Sequence, residues 1–412
     1  MEHKSVHMPL ELVSHQIENN FKKCKSKKKA LSKKSLSKKL LFKKSLSKKI
    51  ITKKSISTKP ETNDNQMIET SKYWILDNKL VFKLNFNEPI NNSLLHLIAK
   101  VNELIFSNYE NLDVAIKTNN YRGENEYYYH YRESLFNHPV SGLLPQNLTV
   151  LRFGHSFNNP VDNLPQSLSI LTFGSYFNQS VNRLPQSLTQ LTFGYSFNQP
   201  VDWLPQNLSQ LTFGYSFNQP VDWLPQNLSQ LTFGYSFNQP VDWLPQNLTH
   251  LTFGLYFNQF VGRLPPNLTH LTFDETFNYP LTILPETLTH LTLGFFFNQQ
   301  VELPGIKFLK TESNSEYTIN NLPNSLEELY LDHQFDIPLD NLPNQLKRIV
   351  FDRNSYYSYE LNNLPESVEY IELSYMYDKK ISKLPKNLKT IKCYITYKFI
   401  DDFINYEVIT FF

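Results

Sequence analysis

The stretch LPQNLSQLTFGYSFNQPVDW, residues 204–223, decides the fold of this 412-residue chain, and it recurs letter for letter at residues 224–243. The Leu-Pro pair that opens it returns every twenty residues, at positions 144, 164, 184, 204, 224, 244, 264 and 284. A Phe-Asn pair returns in step with it, from residue 157 to residue 298. A fixed period of twenty residues predicts a solenoid, in which each repeat forms one coil that stacks on the next.

A single unit, residues 184–203, indicates the structure of one coil. Its apolar positions are Leu184, Leu188, Leu191, Phe193, Phe197 and Val201. Leu191 and Phe193 alternate with polar residues, which predicts a short strand with one buried face. Prolines near both ends of the unit disfavour a helix. We therefore predict a repeat solenoid of the leucine-rich-repeat type, with one short parallel strand per coil, extended return segments and a cap at each end.

Two further columns of identical residues follow the strand. Seven of the eleven glycines share one position of the repeat, which indicates either a positive φ or a close backbone approach. Asp274 replaces glycine in one coil, and aspartate tolerates a positive φ. The asparagines from Asn158 to Asn298 are expected at an inward turn position, with their amides bonded to the backbone of neighbouring coils.

The repeat pattern resembles a known family. Leu-x-x-Leu-x-Phe resembles the strand segment of a leucine-rich repeat. The fuller pattern is Phe-Asn-x-Pro-Val/Leu followed by Leu-Pro-x-x-Leu-x-x-Leu-x-Phe-Gly, and it resembles the FNIP repeat, a relative found in social amoebae and in giant viruses that infect amoebae. The match is strong over residues 135–300 and weak over 300–391. The resemblance implies a binding or scaffolding repeat domain with no catalytic residues.

The composition along the chain predicts five segments. Leu80 to Ile90 aligns with the repeat as a first, degenerate coil, and Ser93 is expected to cap a helix that runs to Phe106. The predicted segments are a disordered Lys-rich tail (1–65), an N-terminal cap with a degenerate repeat (66–134), regular FNIP/LRR-like repeats (135–300), degenerate repeats (301–391) and a C-terminal cap (392–412).

The tail is strongly basic. Residues 22–59 hold seventeen lysines and no acid, so with a net charge of +2 the rest of the chain carries 2 − 17 = −15. Such a run is expected to be disordered, and it is typical of a nuclear address, a nucleic-acid tether, an anionic-surface contact or a solubilising tail. Residues 8–12 faintly resemble the start of an F-box, which implies a ubiquitin-ligase adaptor as another alternative.

The first strand position forms a polar column: Gln190, Gln210, Gln230, His250, His270 and His290. Coils lie about 4.8 Å apart, so the three histidines are expected to form a ladder. No carboxylate or cysteine joins this column, and we therefore predict partner binding here rather than a metal site.

A second column contains Trp203, Trp223 and Trp243, each preceded by an aspartate. Exposed tryptophans anchor protein partners, which makes these residues the other candidate contact surface. The competing interpretation is that the three rings stack on one another and cover the return segment.

No phosphate loop, nucleophile motif or metal-ligand spacing is present, so we predict a protein that is not an enzyme and has no cofactor and no small-molecule substrate. The two cysteines are far apart, and no apolar stretch has the length of a signal peptide core or a membrane span. We expect an intracellular protein, cytoplasmic or nuclear in the host cell and not secreted. The function predicted is a scaffold that binds another protein, and the alternative is a tether through residues 22–59.

Overall fold

The computed structural model describes residues 67–109, 112 and 134–411. The lysine-rich segment 22–59 and the F-box-like residues 8–12 lie outside the described residues. In the described part, the strands are β1 (Ile68–Glu69), β2 (Tyr73–Leu76), β3 (Lys79–Phe82), β4 (Glu103–Phe106), β5 (Val150–Arg152), β6 (Ile170–Thr172), β7 (Gln190–Thr192), β8 (Gln210–Thr212), β9 (Gln230–Thr232), β10 (His250–Thr252), β11 (His270–Thr272), β12 (His290–Leu293), β13 (Phe308–Thr311), β14 (Glu328–Leu331), β15 (Arg348–Phe351), β16 (Tyr370–Glu372), β17 (Thr390–Tyr394) and β18 (Glu407–Phe411). The helices are α1 (Asn92–Ile98), α2 (Glu316–Asn320) and a 3-10 helix (Ile400–Phe403).

The strands form one sheet in chain order, and this confirms the predicted solenoid. Strands β1, β2 and β3 pair antiparallel, and every later strand pairs parallel with the next. One aliphatic residue of each strand lies beside its equivalent in the next, from Leu80 through Leu104 and Leu151 to Val408. Because at least one face of each strand from β3 to β17 is buried, a shift by one residue would expose this whole column, so the pattern fixes the register.

Two columns of phenylalanine fill the core of the regular coils. Within one coil, the rings of Phe193 and Phe197 stack with centroids 3.7 Å apart. Between coils, Phe193 lies 5.7 Å from Phe213, and Phe197 lies 6.1 Å from Phe217. All four rings are buried, so each coil completes the core of its neighbours.

The glycine column follows from a close backbone approach and not from a positive φ. In the described residues, the glycines with positive φ are Gly142 and Gly305, and both lie outside this column. A Cβ added to Gly214 would lie 2.0 Å from the carbonyl oxygen of Gly194. Asp274 is likewise not among the residues with positive φ, and its carboxylate accepts a hydrogen bond from the Glu275 backbone at 2.8 Å.

The asparagine column bonds as predicted but does not point inward. The Asn178 side-chain oxygen accepts the backbone N–H of Asn198 at 2.9 Å, and the same bond repeats in the next coil from Asn218 to Asn198. The side chains are exposed or half-buried. A ladder of amides therefore runs along the outside of the turn and ties each coil to the next.

The predicted helix from Ser93 to Phe106 is wrong in its bounds. Asn91 caps α1 by accepting the Leu94 backbone N–H at 3.1 Å, and the helix ends at Ile98. The rest of the apolar run forms β4, whose Leu104 lies between Leu80 and Leu151 in the sheet. Pairing on both edges outweighs the local helical pattern of these few residues.

Candidate partner-binding surfaces

The strand face is defined here as the first strand position of β7 to β12. The sheet register places Gln190, Gln210, Gln230, His250, His270 and His290 side by side in one column, as the sequence predicted. Gln230 is exposed and the other five residues are half-buried. The fold therefore brings all six side chains to one accessible surface.

The three histidines stack. The ring centroids of His250 and His270 are 4.1 Å apart, and those of His270 and His290 are 4.0 Å apart. Each Nδ1 lies 2.9 Å from the hydroxyl of the threonine that precedes the strand. The same contact in three successive coils gives the rings one common orientation.

The hydrogen bonds of these threonines determine the imidazole tautomer. The hydroxyl of Thr269 donates its single hydrogen to the carbonyl oxygen of Thr249 at 3.0 Å. It must therefore accept at its contact with His270, so Nδ1 of His270 carries a proton, and in the neutral ring Nε2 then carries the lone pair. The hydroxyls of Thr249 and Thr289 donate to backbone carbonyls in the same way. The strand face thus presents three stacked imidazole rings, each held at Nδ1 by a threonine hydroxyl.

The stacked arrangement also affects the charge of the central ring. Burial, followed by repulsion from His290 and His250, lowers the pKa of His270 below its usual value. His270 is therefore neutral at pH 7, which keeps its Nε2 available as an acceptor.

Aromatic contacts continue beyond the histidines, a feature that the sequence reasoning missed. Phe308 lies in the same column, 5.3 Å from His290, and Tyr330, at the third position of β14, lies 4.8 Å from Phe308. The guanidinium of Arg348 then lies 4.0 Å above the ring of Tyr370. Reading the first strand position past residue 290 would have found Phe308, Arg348 and Tyr370 by the same register.

A charged cluster replaces the glycine column in the degenerate coils. Lys310 lies 2.9 Å from Asp332 and 3.6 Å from Glu312, while Nδ1 of His333 lies 2.7 Å from Asp332. Burial and then repulsion from Asp332 raise the pKa of Glu312 to about 7. Burial alone would raise the pKa of Asp332, but the hydrogen bonds from His333 and Lys310 hold it below the usual value.

The tryptophans form a separate surface on the return segment. Trp203, Trp223 and Trp243 are 70%, 71% and 72% exposed. None of the ring pairs found across residues 67–109, 112 and 134–411 joins two of them, so the interpretation that these rings stack and cover the return segment is wrong. The side chains project into solvent next to exposed aspartates.

A stacked tyrosine ladder lies beside the glycine column and was also missed. The rings of Tyr195 and Tyr215 are 4.4 Å apart, and the same spacing separates Tyr215 from Tyr235. The signal was the repeated Gly-Tyr-Ser-Phe sequence, in which the tyrosine directly follows the glycine.

In the part of the chain that the structure describes, no group of three or more His, Cys, Asp or Glu side chains is placed to hold a metal ion. Over the same residues, every helix is too short or too polar to cross a membrane.

Known proteins share this repeat and this architecture. Six windows match the FNIP Repeat family: residues 136–176, 160–196, 177–216, 197–236, 217–256 and 260–296. The crystal structure of CroV588, a giant-virus protein described as a novel circular LRR structure, is similar with a TM-score of 0.64 and 35% identity. The similarity covers 78% of this chain and 47% of CroV588, so the chain spans about half the length of that relative.

YopM from Yersinia enterocolitica WA-314 is similar over 62% of this chain and 61% of its own, with 22% identity and a TM-score of 0.37. No curated protein matches the chain. The six repeat matches, carried on coils with one parallel strand each, identify the chain as an FNIP repeat-containing protein with a leucine-rich-repeat-like solenoid.

Proposed function

We propose that the chain is a non-enzymatic scaffold that binds a protein partner through the strand face. The observation that carries the proposal is the row of three stacked histidine rings, held in one orientation by their threonine contacts. Polar rings spaced by the coil repeat suit a partner that presents several N–H or O–H groups along an extended segment. The neighbouring glutamine amides extend the same surface.

Affinity then comes from many repeated contacts, because each contact contributes only a modest part of the binding free energy. When a partner covers the Gln and His side chains, the sheet does not need to rearrange, because the backbone of these strands is already paired on both sides. Pre-organisation of this kind lowers the entropic cost of binding.

The test compares capture of binding proteins from an amoebal lysate by the intact chain and by a variant with His250→Ala, His270→Ala and His290→Ala. We expect the variant to lose the specific partner, and the isolated partner to bind the intact chain directly. A control variant changes the exposed return-segment residues Glu286 and Glu302 to alanine and should bind as the parent does. If the triple variant retains the same partner with the same affinity, the strand face is not the binding surface.

The tryptophan ladder is the second candidate surface, and its high exposure is the observation that favours it. Large exposed aromatic side chains in one column are typical of a protein contact. A variant with Trp203→Ala, Trp223→Ala and Trp243→Ala distinguishes the two surfaces. Loss of the partner in this variant alone would move the site from the strand face to the return segment.

A tether through residues 22–59 is the alternative function, and the seventeen lysines without an acid favour it. Binding of this kind depends on counterion release, so it should weaken steeply between low and high salt. The measurement is binding of the intact chain and of residues 66–412 to duplex DNA and to anionic vesicles. Binding that is insensitive to salt, or that survives removal of the tail, would exclude this function.

A further inference from the structure

A polar cleft opens where the repeat is interrupted. It has a volume of about 450 Å³ and is lined by Asn298, Asn314, Glu316, Tyr317, Asn320 and Asn321. Four side-chain amides, one carboxylate and one phenol therefore surround it. All six residues are exposed, so a ligand reaches them from solvent.

The cleft arises from a turn that is two residues shorter than in the preceding coil. From Leu291 to Asn298 the chain advances seven residues, whereas from Leu309 to Asn314 it advances five. The position of the buried Phe297 is consequently taken by Ser313 in the next coil, and helix α2 fills the remaining length. The strand β13 keeps its register, so the change is confined to the turn and the return segment.

The same interruption breaks the asparagine ladder. The backbone N–H of Asn298 still donates to Asn278 at 2.9 Å. After the gap the ladder resumes, with the Asp336 N–H donating to Asn314 at 2.7 Å. Among the described residues, however, no such bond joins residues 298 and 314, and none of them gives the side-chain amide of Asn298 at the cleft a hydrogen-bond partner.

Two of the lining side chains are held by hydrogen bonds, and the other four are not held in this way by the described residues. The Asn314 amide donates to the Gln334 carbonyl at 2.9 Å, and the Asn321 amide donates to the Tyr317 carbonyl at 2.7 Å, which holds the walls. In the described residues, the side chains of Asn298, Glu316 and Asn320 and the Tyr317 hydroxyl make no hydrogen bond or ion pair. These four groups supply both donors and acceptors.

The buried face of α2 is unusual as well. Ser315 and Thr318 are fully buried, and the described part of the chain offers neither hydroxyl a hydrogen-bond partner. Burying such groups is unfavourable, so this coil is less stable than a coil that carries the phenylalanine pair. The buried polar residues of α2 thus lower the stability of this coil, and such a local cost is typical of a functional position.

We propose that this cleft binds a neutral carbohydrate of one or two sugar units. No lysine, arginine or histidine is among the six lining residues, so an anion finds no counter-charge. One carboxylate and four amides instead match the hydroxyl groups of a sugar, and the 55% exposed ring of Tyr317 offers a flat surface for its apolar face. The volume lies in the usual range of about 300–1,000 Å³ for small-ligand sites.

The test uses the intact chain and a panel of probes: glucose, galactose, mannose, N-acetylglucosamine and their disaccharides cellobiose, lactose, mannobiose and chitobiose. Binding is measured by saturation-transfer NMR and titration calorimetry. We expect at least one probe to bind saturably, and Tyr317→Ala or Asn320→Ala to weaken it by about tenfold, equivalent to the loss of one good contact. Both residues are exposed, so their substitution leaves the core intact.

Asn344→Ala is the matched control, because Asn344 is an exposed asparagine outside the cleft, and it should bind sugar as the parent does. Inorganic phosphate and calcium chloride serve as rival probes. The proposal is overturned if no sugar binds up to about 10 mM, if the cleft variants bind as well as the control, or if phosphate or calcium occupies the site instead. Each of these outcomes leaves the strand-face proposal unaffected, since that surface is tested with different variants.

Discussion

The regular coils (residues 135–300) and the degenerate coils (301–391) carry the same sheet but link neighbouring coils differently. The position just before each strand shows this contrast. In the regular coils it holds Ser or Thr, and the hydroxyl of Thr189 donates to the carbonyl of Ser169 at 3.1 Å. In the degenerate coils the same position alternates in charge, with Glu327 lying 3.7 Å from Lys307 and 2.6 Å from Lys347.

The glycine column and the second phenylalanine column also differ between the two regions. Glycine gives way to Glu312, Asp332 and Asp352, and the second phenylalanine gives way to tyrosine from Tyr357 onward. The rings still stack between coils, at 6.3 Å from Tyr357 to Tyr377 and 6.1 Å from Tyr377 to Tyr397.

The comparison separates what the solenoid requires from what it tolerates. Both regions keep the central aliphatic residue of the strand and its register, from Leu211 to Ile371. Outside that column, neighbouring coils can be linked either by a ladder of identical residues or by a series of complementary charged pairs. Identical ladders permit duplication of a whole unit, as in residues 204–243, whereas complementary pairs require each coil to keep the neighbours that carry the opposite charge.

The largest effect is expected from a side chain in the glycine column of the regular coils. Gly214→Ala places a Cβ 2.0 Å from the Gly194 carbonyl oxygen, and that backbone is fixed by pairing in the sheet. We expect a loss of at least about 5 kcal/mol in the free energy of unfolding, measured by urea denaturation.

Gly262→Ala is the control for this prediction, because its Cβ would meet only the exposed side chain of Phe260, which is free to move. A loss below about 1 kcal/mol is expected there. Equal stability of the two variants would show that the coils separate easily and that close packing is not what selects glycine.

The core ladder gives the next largest effect. Phe213 stacks on Phe217 at 3.8 Å and on its equivalents in both neighbouring coils at 5.7 Å. Phe213→Ala should cost about 3–5 kcal/mol in unfolding free energy. Phe213→Leu should cost less than about 2 kcal/mol, because Leu331 occupies the same column in the degenerate coils. If the leucine variant is as unstable as the alanine variant, this regular coil requires a ring at a position where the coil of Leu331 does not.

The charged cluster should make the stability of the degenerate coils sensitive to pH. Burial raises the pKa of Glu312 to about 7, so between its usual 4.5 and 7 the folded state holds a proton that the unfolded state has lost. Its contribution is therefore complete below about pH 4.5 and is lost as the pH rises to 7. Lys310 and His333 keep Asp332 charged throughout this range.

Glu312→Gln imitates the protonated form and removes this dependence. The stability of the variant relative to the parent should rise from pH 5 to pH 8 by up to about 3 kcal/mol, measured by urea denaturation at each pH. The control is Glu286→Gln, an exposed carboxylate in a regular coil, which should show no such trend. A flat difference between parent and Glu312→Gln would mean that this carboxyl is solvated in the native state.

The sequence predicted the features that follow from the period. A residue that recurs every twenty positions must lie beside its copies once the buried strand residue fixes the register, so the stacking of His250 on His270 was predictable. The strand position, the family and the amide bonds of the asparagine ladder followed in the same way.

Other features depend on packing that a linear pattern does not contain. The end of α1 at Ile98 depends on the pairing of β4 with strands that are distant in sequence, such as β5. The exposure of Trp203 depends on the direction of its side chain from the return segment, and the signal in the sequence was that Arg183 and Arg263 occupy the same column in the flanking coils. The cleft beside α2 depends on the exact path of a shortened turn, although the absence of a Phe-Asn pair from residues 305–320 of the sequence marks its place.

The smallest effect concerns the asparagine ladder. Asn198 accepts the backbone N–H of Asn218 at 2.9 Å and the side-chain amide of Gln219 at 3.0 Å, so Asn198→Ala should cost about 1 kcal/mol for the unsatisfied donor. Asn198→Asp keeps the acceptor and should cost less, because Asp336 takes this role in the degenerate coils, accepting the Ser358 N–H at 2.9 Å. Urea denaturation of the three proteins measures both differences. If aspartate proves as costly as alanine, then the ladder needs the amide donor as well as the acceptor, and the two regions differ in chemistry as well as in sequence.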